Sequence, residues 1–181
     1  MERFIDLAGR RQSDRAFDPT RAVEPEKIAR ILEAAQLAPS ACNAQPYKII
    51  VVDDPELKNK VADTTSSKVL GMNHFTKQAP IHMVIVEENP NLTSGIGAVV
   101  KDKHFPYIDI GIVAAHITLA ATDEGLGSCI LGWFDEKKLR ILLNIPARKR
   151  ILLDIVIGYS TQPLREKKRK HIDKVVGNNR Y

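Results

Sequence analysis

The chain has 181 residues, which suits a single domain, and 44% of them are hydrophobic, enough to fill a core, so a disordered chain is not expected. The formal net charge is +5, no stretch reaches the ~20 apolar residues that span a bilayer, and the first residues lack the order of a signal peptide. The two cysteines, Cys42 and Cys129, make neither a disulfide framework nor a Cys-x-x-Cys pair, and these features together predict a cytoplasmic protein outside the membrane.

Helices and strands alternate along the first part of the chain. Apolar residues at helical spacing predict a helix over 2–10 and a second helix that carries Pro25 in its first turn and ends at Pro39. The run Tyr47–Val52 predicts a buried strand, and the sequence Asp-Asp-Pro at 53–55 predicts the start of the next helix.

The most apolar helix is predicted over Tyr107–Glu124. It follows a predicted strand at Ile81–Val86 and the polar segment Asn89–Lys103, whose two glycines predict a loop. The helix has almost no polar face, and a helix that is apolar all round must be buried all round. In a domain of this size the sheet can cover one side only, so a partner chain is predicted to cover the other.

The last part of the chain completes an α+β sandwich. Strands are predicted over Cys129–Leu131 and Ile151–Tyr159, with a helix between them that Asp135 caps and that ends at Leu143. This pattern predicts a sheet of four or five strands between helices. Residues 163–181 have little apolar content and are predicted to form a tail that either hangs free or wraps something.

The first candidate site is the segment 11–15, Arg-Gln-Ser-Asp-Arg, just after the first helix. The guanidinium groups of Arg11 and Arg15 can bind a phosphate bidentately, while Gln12 and Ser13 can donate to other oxygens of a ligand. A solvated basic turn is the alternative, and composition alone favours it.

A second concentration of charge lies at 165–170, where five basic residues and one acidic residue contribute +4. Such a cluster is commonly a solvated tail. The more specific interpretations are a site for the phosphate of a small ligand or a surface that binds nucleic acid. The cluster has no interleaved aromatic residues for base stacking, so a small phosphate ranks above nucleic acid.

Two further segments combine small residues with a neighbouring strand. In the loop 38–47, APSACNAQPY, small side chains let the backbone approach a flat ring, and Ser40 and Asn43 can hydrogen-bond its edge. In the segment 127–134, GSCILGWF, glycine beside a strand end lets a ligand lie against bare backbone. The alternatives are an ordinary helix-to-strand connection for the first segment and core packing of Trp133 for the second.

The order and spacing of these segments resemble the nitroreductase family of flavoproteins. The resemblance rests on RQSDRAF, LAPSACNAQPYKIIVV, YIDIGIVAAHITLAA, GLGSCILGWF and the basic tail, and it spans nearly the whole chain. It implies one domain over 1–181 with a mostly antiparallel sheet, and a homodimer that the tail at 163–181 wraps. It also implies FMN as the cofactor and a ping-pong reaction, in which NADH or NADPH gives hydride to flavin N5 and a nitroaromatic or quinone then takes two electrons.

The same resemblance implies which residues contact FMN at the subunit interface. Arg11 would hold the phosphate, Arg15 would lie near the pyrimidine edge, and Gln12 and Ser13 belong to the same segment. The other implied contacts come from the partner's loop, from the segment beside the central ring and from the tail, namely Pro39, Ser40, Ala41 and Asn43, then Leu131, Gly132 and Trp133, then Lys167 and Arg169. Since the flavin carries the chemistry, no side chain is assigned as acid, base or nucleophile.

Two residues depart from the family pattern. Gln12 stands where a basic residue is common, so one charge near the phosphate is missing. Cys42 lies inside the flavin loop and is interpreted as a small filler, because no His or Lys in its motif would activate a nucleophile.

The substrate pocket is predicted to include His104, Phe105 and Tyr107 beside the polar loop, whereas His116 is predicted to be a core residue. No metal site is predicted, because no His, Cys or carboxylate pair has ligand spacing. Two alternatives for the function stay open. One is the same fold with azoline dehydrogenation, dehalogenation or flavin breakdown as its reaction, and the other is a nucleic-acid-binding module that uses the basic tail.

Overall fold

The computed structural model describes residues 3–67, 71–89 and 104–181. Its α-helices are α1 Phe4–Arg10, α2 Pro25–Gln36, α3 Pro55–Thr65, α4 Phe105–Asp123 and α5 Glu136–Leu142. Its strands are β1 Tyr47–Val52, β2 Ile81–Glu87, β3 Gly127–Leu131 and β4 Ile151–Gly158. The loop predicted over Asn89–Lys103 lies, apart from Asn89, outside the described residues.

The four strands form one sheet in the order β1-β2-β4-β3, and each neighbouring pair is antiparallel. The central strands β2 and β4 are buried along nearly their whole length. Strands buried on both faces read as continuous apolar runs, which is why these two were recognisable in the sequence. The prediction of a mostly antiparallel sheet of four or five strands is confirmed.

Helices cover both faces of the sheet. On one face α2 and α4 pack against alternate residues of the central strands, among them Met83 and Ile155. On the other face Val61 of α3 and Leu139 of α5 pack against Val84. Because successive residues of a strand point to opposite faces, β2 contributes to both layers, and the result is the predicted α+β sandwich.

Helix α4 begins two residues before the predicted start, because Pro106 fits a first turn whose backbone N–H groups lack helical partners. One side of α4 is buried, with Val113 and Ile117 fully covered. On the other side Tyr107 is 52% exposed and Ile108 is 54% exposed. A single chain therefore leaves one face of this apolar helix uncovered.

By length and composition alone, the 19 residues of α4 could also cross a membrane. This helix stays just below the ~20 apolar residues that the sequence analysis took as the requirement for a span. Half of it is buried against the rest of the fold, as in the core helix of a globular protein, so it is weak evidence for a membrane segment.

The tail predicted at 163–181 follows β4 and carries one short 3-10 turn at Ile172–Lys174. Its first residues pack against the segment 11–15, whereas residues 168–181 are all exposed. That the tail wraps a second subunit stays a prediction.

Candidate functional site

The two basic segments of the sequence meet at one cavity. Its volume is about 520 Å³, within the ~300–1,000 Å³ typical of small-molecule sites. Among the described residues, the lining comes from the segments 11–15 and 165–169, namely Arg11, Gln12, Ser13, Arg15, Arg165, Glu166, Lys167, Lys168 and Arg169. Six cations and one carboxylate therefore share this cavity, although they lie about 150 residues apart in the chain.

Side chains of the tail hold it against the backbone of the first segment. The Arg165 guanidinium donates to the carbonyl oxygen of Ser13 at 2.6 Å, and the Lys167 ammonium donates to the carbonyl oxygen of Arg11. Partial burial and then the repulsion from nearby guanidinium groups lower the pKa of Lys167 below its ordinary value. Bringing an anion into the cavity would relieve that repulsion, so these cations fit a phosphate group.

Asp14 anchors the segment 11–15 to the sheet through its buried carboxylate. The sequence analysis had assigned no role to this residue. The backbone N–H of Asp14 donates to the carbonyl oxygen of Ser128 at 2.9 Å, and Asp14 is 4% exposed. Its Oδ1 accepts from Ser160 Oγ at 2.7 Å, and its Oδ2 accepts from the Ser128 N–H at 3.3 Å. The site therefore sits on β3 and on the end of β4.

The loop 38–47 lies apart from the described lining of this cavity. Cys42, Asn43 and Gln45 adopt φ angles of 52°, 51° and 44°, a left-handed conformation that is uncommon outside glycine. Ser40 Oγ accepts from the Gln45 N–H at 2.9 Å and helps to hold this shape. Pro39 and Asn43 are exposed, while Ser40 and Ala41 are half-buried.

Helix α4 fixes that loop through Asp109, a second carboxylate that the sequence reading did not assign. Its Oδ1 accepts from the Ala41 N–H at 3.1 Å, and it is 3% exposed. Its Oδ2 is buried and has no hydrogen-bond partner among the described residues. A carboxylate inside an otherwise apolar helix was the pattern that could have revealed it, because such a group needs donors to be buried.

The segment after β3 divides between core and surface. Leu131 is buried in the same cluster as Cys129, whereas Gly132 is exposed and Trp133 is 56% exposed. Core packing therefore does not account for Trp133. Burial raises the pKa of the Cys129 thiol, so this residue behaves as an inert apolar side chain.

The predicted pocket residues lie at the start of α4. His104 Nε2 is 2.7 Å from Glu87 Oε1, and the His104 ring contacts the Tyr107 ring edge-on at 4.0 Å between centroids. His104 and Tyr107 are exposed and Phe105 is half-buried. Within one chain these residues lie apart from the described lining of the basic cavity.

The remaining histidine of that helix, His116, is half-buried and not a full core residue. Its Nδ1 lies 2.9 Å from the carbonyl oxygen of Ile112, and its ring lines a groove on the exposed side of α4. No cluster of three His, Cys, Asp or Glu side chains in the described part of the chain could hold a metal ion.

A groove of about 460 Å³ joins the basic cavity to the open face of α4. Arg11 and Ser13 border both volumes, and the groove also touches Gly111, Ala115 and Ile130. A molecule seated on the cations would therefore extend toward the uncovered helix face.

Proteins of known family resemble this chain in sequence and in fold. The profile of the Nitroreductase family matches residues 8–159. An FMN-dependent nitroreductase of known structure from Clostridium difficile is 30% identical, with a TM-score of 0.76 over 98% of this chain and 100% of that one. A protein of Archaeoglobus fulgidus, provisionally named NADH dehydrogenase/NAD(P)H nitroreductase, is 31% identical over 88% of this chain and 86% of its own. The iodotyrosine deiodinase of Thermotoga neapolitana is 27% identical over 90% and 91%. The chain belongs to the nitroreductase family.

Proposed function

We propose that this protein is an FMN-dependent NAD(P)H oxidoreductase that passes two electrons to a small acceptor by a ping-pong mechanism. The observation that carries the proposal is the single cavity in which the cations of residues 11–15 and of the tail converge. The FMN dependence of the C. difficile relative and the nicotinamide in the name of the archaeal one support it.

The chain's own residues would bind and orient the cofactor. Arg11, Lys167 and Arg169 would hold the phosphate, because guanidinium and ammonium groups donate charge-assisted hydrogen bonds to phosphate oxygens. Arg15 and Ser13 would lie toward the pyrimidine ring. Bound FMN would supply the redox chemistry, so no side chain needs to act as acid, base or nucleophile.

We further propose that the active form is a homodimer with FMN at the interface. Arg11 and Ser13 adjoin the uncovered face of α4, where a second subunit would complete the site. That subunit would contribute Pro39, Ser40, Ala41 and Asn43 from its loop, while Leu131, Gly132 and Trp133 would lie beside the flavin ring. His104, Phe105 and Tyr107 would border the acceptor. Both cysteines lack disulfides, which favours the cytoplasm.

A second candidate reaction is reductive dehalogenation, which the iodotyrosine deiodinase relative favours. The two reactions share the cofactor site and differ in the acceptor. Turnover with nitrofurazone or menadione would support the first, and iodide release from iodotyrosine would support the second.

The test is anaerobic mixing of the FMN-saturated protein with NADH and, separately, with NADPH. We expect flavin absorbance bands in the purified protein, their bleaching by at least one nicotinamide, and their return when nitrofurazone or menadione is added. A protein that binds no FMN, or whose bound FMN neither nicotinamide reduces, would contradict the proposal.

A further inference from the structure

The side chain of Gln12 is fully engaged within the chain. Its Nε2 donates to Asp14 Oδ1 at 2.9 Å and to the carbonyl oxygen of Pro163 at 3.2 Å. Its Oε1 accepts from Arg165, from the backbone N–H at 3.1 Å and from Nε at 3.4 Å. A carboxamide offers two donors and two acceptor lone pairs, so these four contacts use its whole capacity.

A second glutamine makes the reciprocal contact. Gln162, on the tail side, accepts from the backbone N–H of Arg15 through Oε1 at 2.7 Å. Each segment thus presents a glutamine to the backbone of the other. Together they hold the chain at 162–165 against residues 12–15, immediately before the cations of the tail.

Asp14 fixes this assembly to the sheet. The chain can approach closely because residue 127 is glycine, since a Cβ there would lie 2.7 Å from Ser160 Cβ and 2.8 Å from Asp14 Oδ2. Contacts under 3.0 Å are sterically forbidden for a Cβ, so any side chain at 127 would displace the carboxylate or the end of β4.

The tail needs such a fastening because its cations repel those of the first segment. Arg165, Lys167, Lys168 and Arg169 share the cavity with Arg11 and Arg15. Two carboxylates oppose these six cations, Glu166 in the described lining and Asp14 behind it. Without an anion, repulsion favours a detached tail. Hydrogen bonds of the uncharged Gln12 side chain can hold the tail in place without adding another cation.

From these contacts we infer that Gln12 and Asp14 are positioning residues. They fasten the start of the tail to the segment 11–15 and so pre-assemble the phosphate site, without contacting FMN themselves. This inference rests on the proposed function for the identity of the ligand. It also explains why a neutral residue stands where a basic one is common, because Lys would add a cation but remove the oxygen that holds Arg165.

Three variants test the inference, Gln12→Met, Gln12→Lys and the matched control Gln36→Met at the exposed end of α2. Met keeps the length of the side chain and removes its hydrogen bonds. Hydrogen–deuterium exchange of residues 163–169 is measured on the FMN-free protein, and FMN affinity is measured by fluorescence quenching. Circular dichroism checks that each variant is folded.

We expect exchange in the tail to be roughly tenfold faster in both Gln12 variants, and FMN to bind roughly tenfold more weakly, as the loss of about 1.4 kcal/mol would produce. Gln36→Met should match the unmodified protein in both measurements. The sign of the Gln12→Lys effect decides between a positioning residue and a direct ligand, because a direct ligand would bind FMN more tightly after gaining charge.

Unchanged tail exchange in folded Gln12 variants would overturn the inference, as would FMN binding to Gln12→Lys that equals or exceeds that of the unmodified protein. If the unmodified protein binds no FMN at all, the proposed function fails. In that case the exchange measurement still decides whether Gln12 holds the tail.

Discussion

Arg11 and Arg15 border the same cavity but are expected to affect different properties of the flavin. Reduced FMN carries negative charge at the N1–C2 edge that oxidised FMN lacks, whereas the phosphate charge is the same in both redox states. Two unit charges about 4 Å apart interact by roughly 4 kcal/mol at an effective dielectric near 20, and because Arg15 is exposed we expect about 1–2 kcal/mol to survive. For a two-electron couple this corresponds to roughly 20–45 mV.

Arg15→Gln should therefore lower the midpoint potential by that amount and slow reduction by the nicotinamide. Arg11→Gln should mainly weaken FMN binding. The comparison is a spectroelectrochemical titration of both variants, each saturated with FMN. Equal shifts in the two would rule out a position of Arg15 at the ring edge.

Among single residues, the sequence analysis singled out the cations that can bind an anion. It assigned no role to Asp14, which is buried behind them. The resemblance predicted that Arg11, Arg15, Lys167 and Arg169 belong to one site, and all four border the same cavity. The role of Asp14 was not predictable, because Ser128 and Ser160, the partners that anchor it to the sheet, are more than 100 residues away in the chain. A single sequence does not show which distant donors a carboxylate meets.

Among the elements, the two central strands carry a buried polar pair. His82 Nδ1 of β2 lies 2.8 Å from Asp154 Oδ2 of β4, and both side chains are fully buried. Removing Asp154 would leave His82 Nδ1 without its partner, while Nε2 keeps its contact with the Thr76 carbonyl oxygen at 3.3 Å. A buried polar group that loses its hydrogen bond costs about 1–3 kcal/mol. We expect Asp154→Ala to lower the free energy of unfolding by that amount, measured by urea denaturation.

The control is the same substitution at an exposed carboxylate, Glu56→Ala on the first turn of α3. Surface substitutions usually change the free energy of unfolding by less than about 0.5 kcal/mol. A cost below about 1 kcal/mol for Asp154→Ala would mean that the pair does not stabilise the sheet.

Where the predicted bounds of a strand differ from the observed bounds, the cause lies in the residues at its end. β3 begins at Gly127 and not at the predicted Cys129. Gly127 and Ser128 are not apolar residues, so the apolar pattern of this strand starts only at Cys129. In the sheet, Gly127 pairs with Gly158 of β4. The long runs of β1 and β2 had no such ambiguity and were predicted to within one residue.

In the whole molecule, a single chain leaves large apolar side chains of α1 and α4 exposed to solvent. Phe4 and Ile5 of α1 are 69% and 66% exposed, and Phe4 borders the groove on the open face of α4. A contiguous apolar surface of this kind marks an interaction site in most proteins. The sequence predicted the excess from the composition of α4, but only the fold shows that the open face adjoins Arg11 and Ser13.

Ile108→Glu should therefore weaken the proposed homodimer, because it would place a charge in the apolar groove of about 630 Å³ that Ile108 lines with Phe4 and Leu7. The matched control is Ile141→Glu on α5, the helix that packs on the opposite face of the sheet, where the Ile141 side chain is 68% exposed. By analytical ultracentrifugation we expect twice the chain mass of 20.2 kDa for the unmodified protein and for Ile141→Glu, and the chain mass itself for Ile108→Glu. The monomeric variant should also lose FMN, since the loop with Pro39, Ser40, Ala41 and Asn43 is proposed to come from the second subunit. A folded Ile108→Glu monomer that still binds FMN with normal affinity would show that one subunit holds the whole site.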